Sequence, residues 1–186
     1  MNTSYFFGFG SLVNTRTHPY ADVQAARLSG WRRTWRHTEL RPIAFLTVEP
    51  APNTVIDGVI AHVPNNDWVT LDAREYAYDR VDVTSEISHK NTNDIDIALY
   101  AVPDHVKAQP DVRHPILLSY LDVVVQGYAE IFGKAGVENF FETTTGWDVP
   151  VIDDRSDPIY PRHQTLSASD ISLVDQYLAQ KDITFP

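Results

Sequence analysis

The order of its segments constrains this chain more than any single motif. Up to about residue 102 it offers short runs rich in β-branched and aromatic residues: SYFFGFG (4–10), LSGWRRTWRHT (28–38), IAFLTV (43–48), VIDGVIAHV (55–63), YDRVDVT (78–84) and IDIALYAV (95–102). Pro, Asn or Gly separates most of them, so they read as strands joined by turns. One helix interrupts the series at about 66–76, where the NND run supplies capping side chains and WVTLDARE follows without a breaker. Beyond His114-Pro115 the period changes. Ile116, Tyr120, Val124, Gly127 and Ile131 recur at helical spacing and predict one face of an amphipathic helix. A shorter helix follows at about 135–142. A last one begins at Ser167, with Asp170 completing a capping box and Ile171, Val174 and Leu178 as its buried stripe. Strands first and helices later predict an α+β fold, a small curved sheet or β-barrel flanked by helices with a helical C-terminal part. A doubly wound sheet would need strands and helices in alternation.

At 186 residues and 43% apolar content the chain is expected to form a single domain spanning 1–186. It contains no cysteine, which removes disulfides, thiolate metal sites and thiol nucleophiles from consideration. The seven histidines show no H-x-x-x-H or H-E-x-x-H spacing, and Asp153-Asp154 reads as an acidic turn beside Pro158, so no metal site is expected. A formal net charge of −10 disfavours nucleic acid as a partner. No apolar run reaches the roughly 18 residues of a membrane span, and the N-terminus lacks a signal-peptide pattern, so a cytoplasmic location is the expectation. One stretch departs from the acidic balance. Arg27, Arg32, Arg33, Arg36 and Arg41 face only Glu39 between residues 27 and 41, which reads either as a solvated strand face or as one or two guanidiniums meeting an anionic substrate.

Two places point to chemistry. In YFFGFGSLV (5–13), Gly8 and Gly10 stand where a strand would lose stability, which marks a bend or a close approach by backbone or ligand. The stretch lacks the third glycine of G-x-G-x-x-G, and Ser11 is not flanked as in G-x-S-x-G, so neither dinucleotide binding nor a serine hydrolase is indicated. In the helix at 66–76, Trp68, Leu71 and Glu75 fall on one face. A glutamate there either pairs with Arg74 or Arg80 at the helix end, or is buried with its pKa raised toward the range of proton transfer.

Taken together, these segments resemble the γ-glutamylcyclotransferase-like family, including its glutathione-degrading branch. The turn Phe9-Gly10-Ser11-Leu12 is similar to that family's YGS(N)L. GVIAHVPNNDWVTLDAREYAYDRVDV is similar to its strand, helix, catalytic Glu, Tyr and strand, and HPILLSYLDVVVQG to its Pro, Tyr and Gly helix. The likeness runs from about residue 5 to 133, giving a cyclotransferase-like core at 1–133 and a C-terminal extension at 134–186 that packs on it. It implies a barrel with the turn lining a pocket, and a reaction without cofactor or covalent intermediate. In that reaction the α-amino group of a γ-glutamyl compound attacks its own γ-carbonyl, releasing 5-oxoproline and an amine, amino acid or Cys-Gly.

Glu75 matches the catalytic glutamate. Phe9, Gly10, Ser11 and Leu12 match the substrate-binding turn, with backbone N–H groups donating to the glutamyl head. Tyr78 and Tyr120 match tyrosines near substrate. Phe9 departs from the pattern by lacking the family tyrosine's hydroxyl. The oligomeric state, monomer or dimer, stays open. The alternative is a non-catalytic member of the same fold that binds a small metabolite or a partner protein.

Overall fold

The strand-forming runs assemble into one mixed sheet. In the computed structural model, which describes residues 3–91, 93–108, 113–181 and 183, the elements run β1 (Thr3–Gly8), β2 (Gln24–His37), β3 (Ala44–His62), α1 (Val69–Arg74), β4 (Asp79–Asp82), β5 (Ile87–Ser88), β6 (Ile95–Ala101), β7 (Ile116–Leu117), α2 (Leu118–Glu142), β8 (Thr144–Thr145), β9 (Val151–Ile152) and α3 (Ala168–Gln180). The seven-stranded sheet has the order β4-β6-β1-β3-β2-β5, with β8 also beside β2; β7 and β9 form a small parallel pair. β1 runs parallel to β6 and antiparallel to β3. The terminal strands β4 and β5 do not pair with each other, so the sheet is a curled half-barrel in an α+β fold. No helix among the described residues is long and apolar enough to cross a membrane.

β1 is the centre of the fold because it is buried on both sides. Successive strand side chains point to opposite faces, and Phe6 and Phe7 enter different clusters. Phe7 packs with Leu28, Ile56, Val124, Tyr128 and Phe140 between the sheet and α2. Phe6 packs with Leu12, Val63, Leu71 and Tyr100 under α1. The two helices thus cover opposite faces, and the chain leaving β1 at Gly8 emerges between them.

Three details differ from the sequence reading. IAFLTV and VIDGVIAHV are parts of one strand, β3, that runs through Pro50 and Pro52. β1 pairs only with residues 59–62 of β3, so at Pro50, opposite Trp31 of β2, the other side of β3 is open and tolerates a missing N–H, while Pro52 lies in the stretch 51–54 where the pairing with β2 is interrupted. The irregularity is absorbed at Asn53 (φ 72°) and at a bulge between Ser29 and Trp31. The helix expected at 66–76 is shorter, because Asn65 and Asn66 adopt φ of 57° and 55° in a 3-10 turn before it. Finally, α2 is not amphipathic in its first half. Ile116 belongs to β7, and every residue from Ser119 to Tyr128 is buried except the half-buried Tyr120, since the sheet covers one side and the C-terminal segment another. A break at Gly133 separates this half from a second helical stretch.

The C-terminal segment is tied down by polar contacts. Asp154, 6% exposed, accepts from Ser119 N (2.8 Å), Ser119 Oγ (2.5 Å) and Ile159 N (2.9 Å). Arg155 forks onto buried Asp122 at 2.8 Å through both Nε and Nη2, and reaches Asp175 of α3 at 2.8 Å. The Ser167–Asp170 capping box opens α3, whose Val174, Tyr177 and Leu178 are buried.

The arginine-rich stretch is mostly structural. Arg27 pairs with Asp57, and Arg32 and Arg36 share Glu49 across β2 and β3. Arg33 is fully buried, donating to Thr143 Oγ1 (2.7 Å), the Tyr128 hydroxyl (2.9 Å), the Asp57 carbonyl (2.9 Å) and Thr144 Oγ1 (3.2 Å), with its guanidinium over the rings of Tyr128 and Phe140. Only Arg41 of the five lines a cavity at the candidate site.

Candidate active site

The chain leaving β1 tightens at once into two 3-10 turns, Ser11–Val13 and Thr15–Thr17. Three anchors hold them. Asn14, fully buried, caps the second turn and donates to Val123 O (2.9 Å) and Gln126 Oε1 (3.0 Å) of α2. His18 meets the Leu12 carbonyl at 3.0 Å through Nε2; burial pushes its pKa down, so it stays neutral near pH 7. Arg74, from the last turn of α1, donates to the Thr17 carbonyl (3.0 Å), Thr17 Oγ1 (3.3 Å) and Ser11 Oγ (3.4 Å). The N–H groups of Gly10, Ser11 and Leu12 take no backbone acceptor among the described residues, as expected for the first positions of a turn, and that of Ser11 is directed to the Tyr120 hydroxyl.

The glycines of this stretch make room. A Cβ on Gly8 would stand 2.7 Å from Leu12 Cβ, so the turn could not fold back on β1. A Cβ on Gly10 would stand 2.6 Å from the Tyr120 hydroxyl. The expected close approach at Gly10 is therefore made by a protein side chain that itself faces the cavity.

Glu75 closes α1. Its N–H donates to the Leu71 carbonyl (2.9 Å) and its carbonyl accepts from Tyr78 N (2.8 Å), so one reverse turn after the helix brings the Glu75 and Tyr78 side chains to the same cavity. The Glu75 carboxylate is 16% exposed and lies 2.9 Å from Arg74 Nε. Burial raises its pKa, while the charges of Arg74 and Arg162 and the hydrogen bond from Arg74 work in the opposite direction. Both outcomes foreseen for this residue thus hold in part at once: it is largely buried, and it is paired with Arg74. Leu71 is fully buried and Trp68 partly so, but Trp68 turns to Tyr100 and the Arg80 guanidinium.

The cavity has a main compartment of about 340 Å³ and a recess of about 30 Å³, the latter room for a water or one small polar group. Ser11, Leu46, Glu75, Tyr78 and Tyr120 line both. The recess reaches Gly8, Phe9, Gly10 and Leu12 of the turn; the main compartment reaches Arg41, Phe45, Leu117, Tyr160 and Arg162. All seven residues singled out in the sequence therefore line one or both of these adjoining spaces. Their parts differ. Phe9 is a buried side chain whose carbonyl accepts from the Tyr128 hydroxyl at 2.9 Å. The Tyr78 hydroxyl donates to the Leu46 carbonyl at 3.1 Å. Tyr120 packs edge-on against Trp35 and Tyr160. Burial pushes both phenols well above their usual pKa, so they remain neutral donors.

Sequence reasoning missed Arg74, Tyr160 and Arg162. Arg74 was seen only as a partner for Glu75, yet it is also the clamp between α1 and the turn. Tyr160 and Arg162 lie in the YPR stretch, which has no periodicity to read. Their approach to the cavity depends on Asp154 and on the bond from Tyr160 N to Ser119 Oγ (3.3 Å). No cluster of three or more His, Cys, Asp or Glu suited to a metal ion occurs among the described residues.

No family sequence profile and no curated protein matches the chain. Solved structures do match its fold. One described as a γ-glutamyl cyclotransferase aligns with a TM-score of 0.58 over 92% of this chain and 98% of its own, at 14% identity. An uncharacterized protein from Homo sapiens aligns at 0.60 over 94% and 99%, also at 14% identity. YkqA from Bacillus subtilis aligns at 0.59 over 78% of this chain and 57% of its own length, at 17% identity. The chain has the γ-glutamyl cyclotransferase-like fold.

Proposed function

We propose that the chain is an enzyme of the γ-glutamyl cyclotransferase type, converting a γ-glutamyl compound to 5-oxoproline with release of the amine that was bound to the γ-carbonyl. The observation that carries this reading is the convergence of a largely buried carboxylate, Glu75, and the Gly10–Leu12 turn on one recess, where the Gly10 and Leu12 N–H groups take no backbone acceptor among the described residues.

In this reading the α-carboxylate of the substrate lies against the turn, where backbone N–H groups favour an anion. The α-ammonium lies against Glu75. Glu75 accepts a proton from it, and the freed amine attacks the γ-carbonyl to close a five-membered ring. The Glu75 carboxyl group returns a proton to the leaving nitrogen as the old C–N bond breaks. The second ammonium proton is lost on ring closure, and the departing amine takes up another from solvent. A carboxyl group that accepts and then donates works best with a raised pKa, the direction in which burial moves Glu75. Arg74 keeps that rise in check and holds the carboxylate in place through its own bonds to the turn. Pre-positioning of amine and carbonyl is the other contribution such a pocket supplies.

The test is release of 5-oxoproline, followed by mass spectrometry, from a panel of glutathione, γ-glutamyl amino acids and γ-glutamylamines. Wild type is expected to form it from at least one member, and Glu75→Gln to fold normally and lose at least about 10²-fold in rate. Full activity in Glu75→Gln would overturn the role given to this residue. The ion pair between Glu75 and Arg74 favours a second reading, a metabolite-binding protein in which the carboxylate is spent on structure; binding without product across the whole panel would select it.

A further inference from the structure

Most arginines of the chain have an anionic partner: Arg16, Arg27, Arg32, Arg36, Arg74, Arg80, Arg113 and Arg155 form ion pairs, and Arg33 is enclosed by oxygens and rings. Arg41 and Arg162 form none among the described residues, and these two line the main compartment of the cavity. They come from unrelated parts of the chain. Arg41 is exposed in the connection between β2 and β3; Arg162 is half-buried in the C-terminal segment anchored by Asp154. Neither borders the recess at the turn.

The compartment therefore presents three guanidiniums against one carboxylate, in a protein whose formal net charge is −10. Arg74 is engaged by Glu75 and the turn, and the glutamyl head already matches its two charges to the turn and Glu75. At the far end Arg41 and Arg162 form no ion pair among the described residues, although Arg162 lies close enough to Glu75 for their charges to interact. We infer that Arg41 and Arg162 bind a carboxylate on the leaving group, so that the substrate is a γ-glutamyl amino acid or γ-glutamyl peptide and not a γ-glutamylamine. The inference rests on the cyclotransferase reading for the pose of the head. Guanidinium is the donor suited to it, since its planar fork meets a carboxylate with two parallel bonds.

The experiment compares γ-glutamylalanine with γ-glutamylethylamine, which differ only by that carboxylate. Equilibrium binding and 5-oxoproline release are both measured for wild type, Arg41→Ala, Arg41→Lys and Arg162→Ala, with melting temperatures to verify folding. Arg162 also acts on Glu75 through its charge, so Arg41 is the cleaner probe. Wild type is expected to favour γ-glutamylalanine by about tenfold or more, the scale of a hydrogen bond to a charged group. Arg41→Ala should bring the ratio toward one, and Arg41→Lys should restore part of it. Equal use of the two compounds by wild type, or an equal loss on both in the alanine variants, would overturn the inference. A binding preference for γ-glutamylalanine without product from either compound would support the carboxylate subsite while refuting the cyclisation. Binding of neither would refute both.

Discussion

Replacing Gly10 by alanine sets a methyl group against a single atom. The added Cβ would lie 2.6 Å from the Tyr120 hydroxyl oxygen, while its next neighbours, Leu46 Cδ2 and Tyr120 Cζ, are at 3.5 and 3.9 Å, ordinary van der Waals distances. Relief requires Tyr120 to move by most of an ångström, yet its ring is held between Trp35 and Tyr160. Overpacking of this kind costs about 1–3 kcal/mol, which in a chain of this size lowers the melting temperature by about 2–12 °C. Tyr120→Phe removes the offending oxygen and leaves only the two ordinary contacts. The double variant Gly10→Ala/Tyr120→Phe should therefore regain most of what Gly10→Ala loses, a coupling of about 1 kcal/mol or more in the four-protein cycle. Any backbone preference for glycine at this position appears in both alanine proteins and cancels. Thermal or urea unfolding of the four proteins measures the coupling, and strictly additive losses would show that Gly10 is not there to admit the Tyr120 hydroxyl. If the recess also receives substrate, Gly10→Ala weakens its binding, and Tyr120→Phe restores stability without fully restoring binding.

The acid limb of kcat/KM should lie above the ordinary carboxylate range, because Glu75 must be ionised to accept a proton and burial raises its pKa; Arg74→Gln, by removing a charge that lowers that pKa, should move the limb to still higher pH, and a pH profile that stays or moves down would count against this assignment. Asp154→Ala deletes the acceptor of three bonds at 6% exposure and should cost about 2–3 kcal/mol, about 4–12 °C in melting temperature, and raise KM by loosening the Tyr160–Arg162 wall; unchanged KM beside a large loss of stability would separate that wall from the substrate. Arg33→Met should be tolerated far better than Arg33→Ala, because the Tyr128, Thr143 and Thr144 hydroxyls and the Asp57 carbonyl all keep another partner and only the alanine leaves a cavity; melting temperatures that fall equally would show the charge itself to be needed.

What the sequence made legible follows from where periodicity exists. Strand content, the order of strands before helices, and the Ser167 capping box all depend on neighbours within a few residues, and each is found in the structure. Glu75 was conspicuous because a charge on the face of Leu71 breaks a local rule. The misreadings arise where distant packing decides. Pro50 and Pro52 look like strand breakers, yet the strand continues because its other side is open at Pro50 and its pairing with β2 is interrupted at Pro52. The first half of α2 looks amphipathic, yet it is buried almost all round because residues from 144 onward wrap it, something no window on the helix contains. Arg33 and Arg41 lie eight residues apart in the same basic stretch, and only the third dimension separates a buried cross-link from a guanidinium at the cavity mouth.

The same distinction bears on how the site works. The turn and Glu75 are fixed to each other by one side chain, Arg74, which reaches Thr17 and Ser11 on one element and Glu75 on the other. The far wall is fixed by another, Asp154, whose bonds go to Ser119 and Ile159. The half that would hold the glutamyl head and the half that would hold the leaving group are thus built on separate anchors. Arg74 variants should act on the pH dependence of every substrate alike, whereas Asp154 variants should act most on substrates whose leaving group reaches Arg162. Kinetics of γ-glutamylalanine and γ-glutamylethylamine on the two sets of variants would show this as a change of pH profile in one and a change of substrate ratio in the other. Identical responses in both sets would mean that the cavity behaves as a single rigid unit.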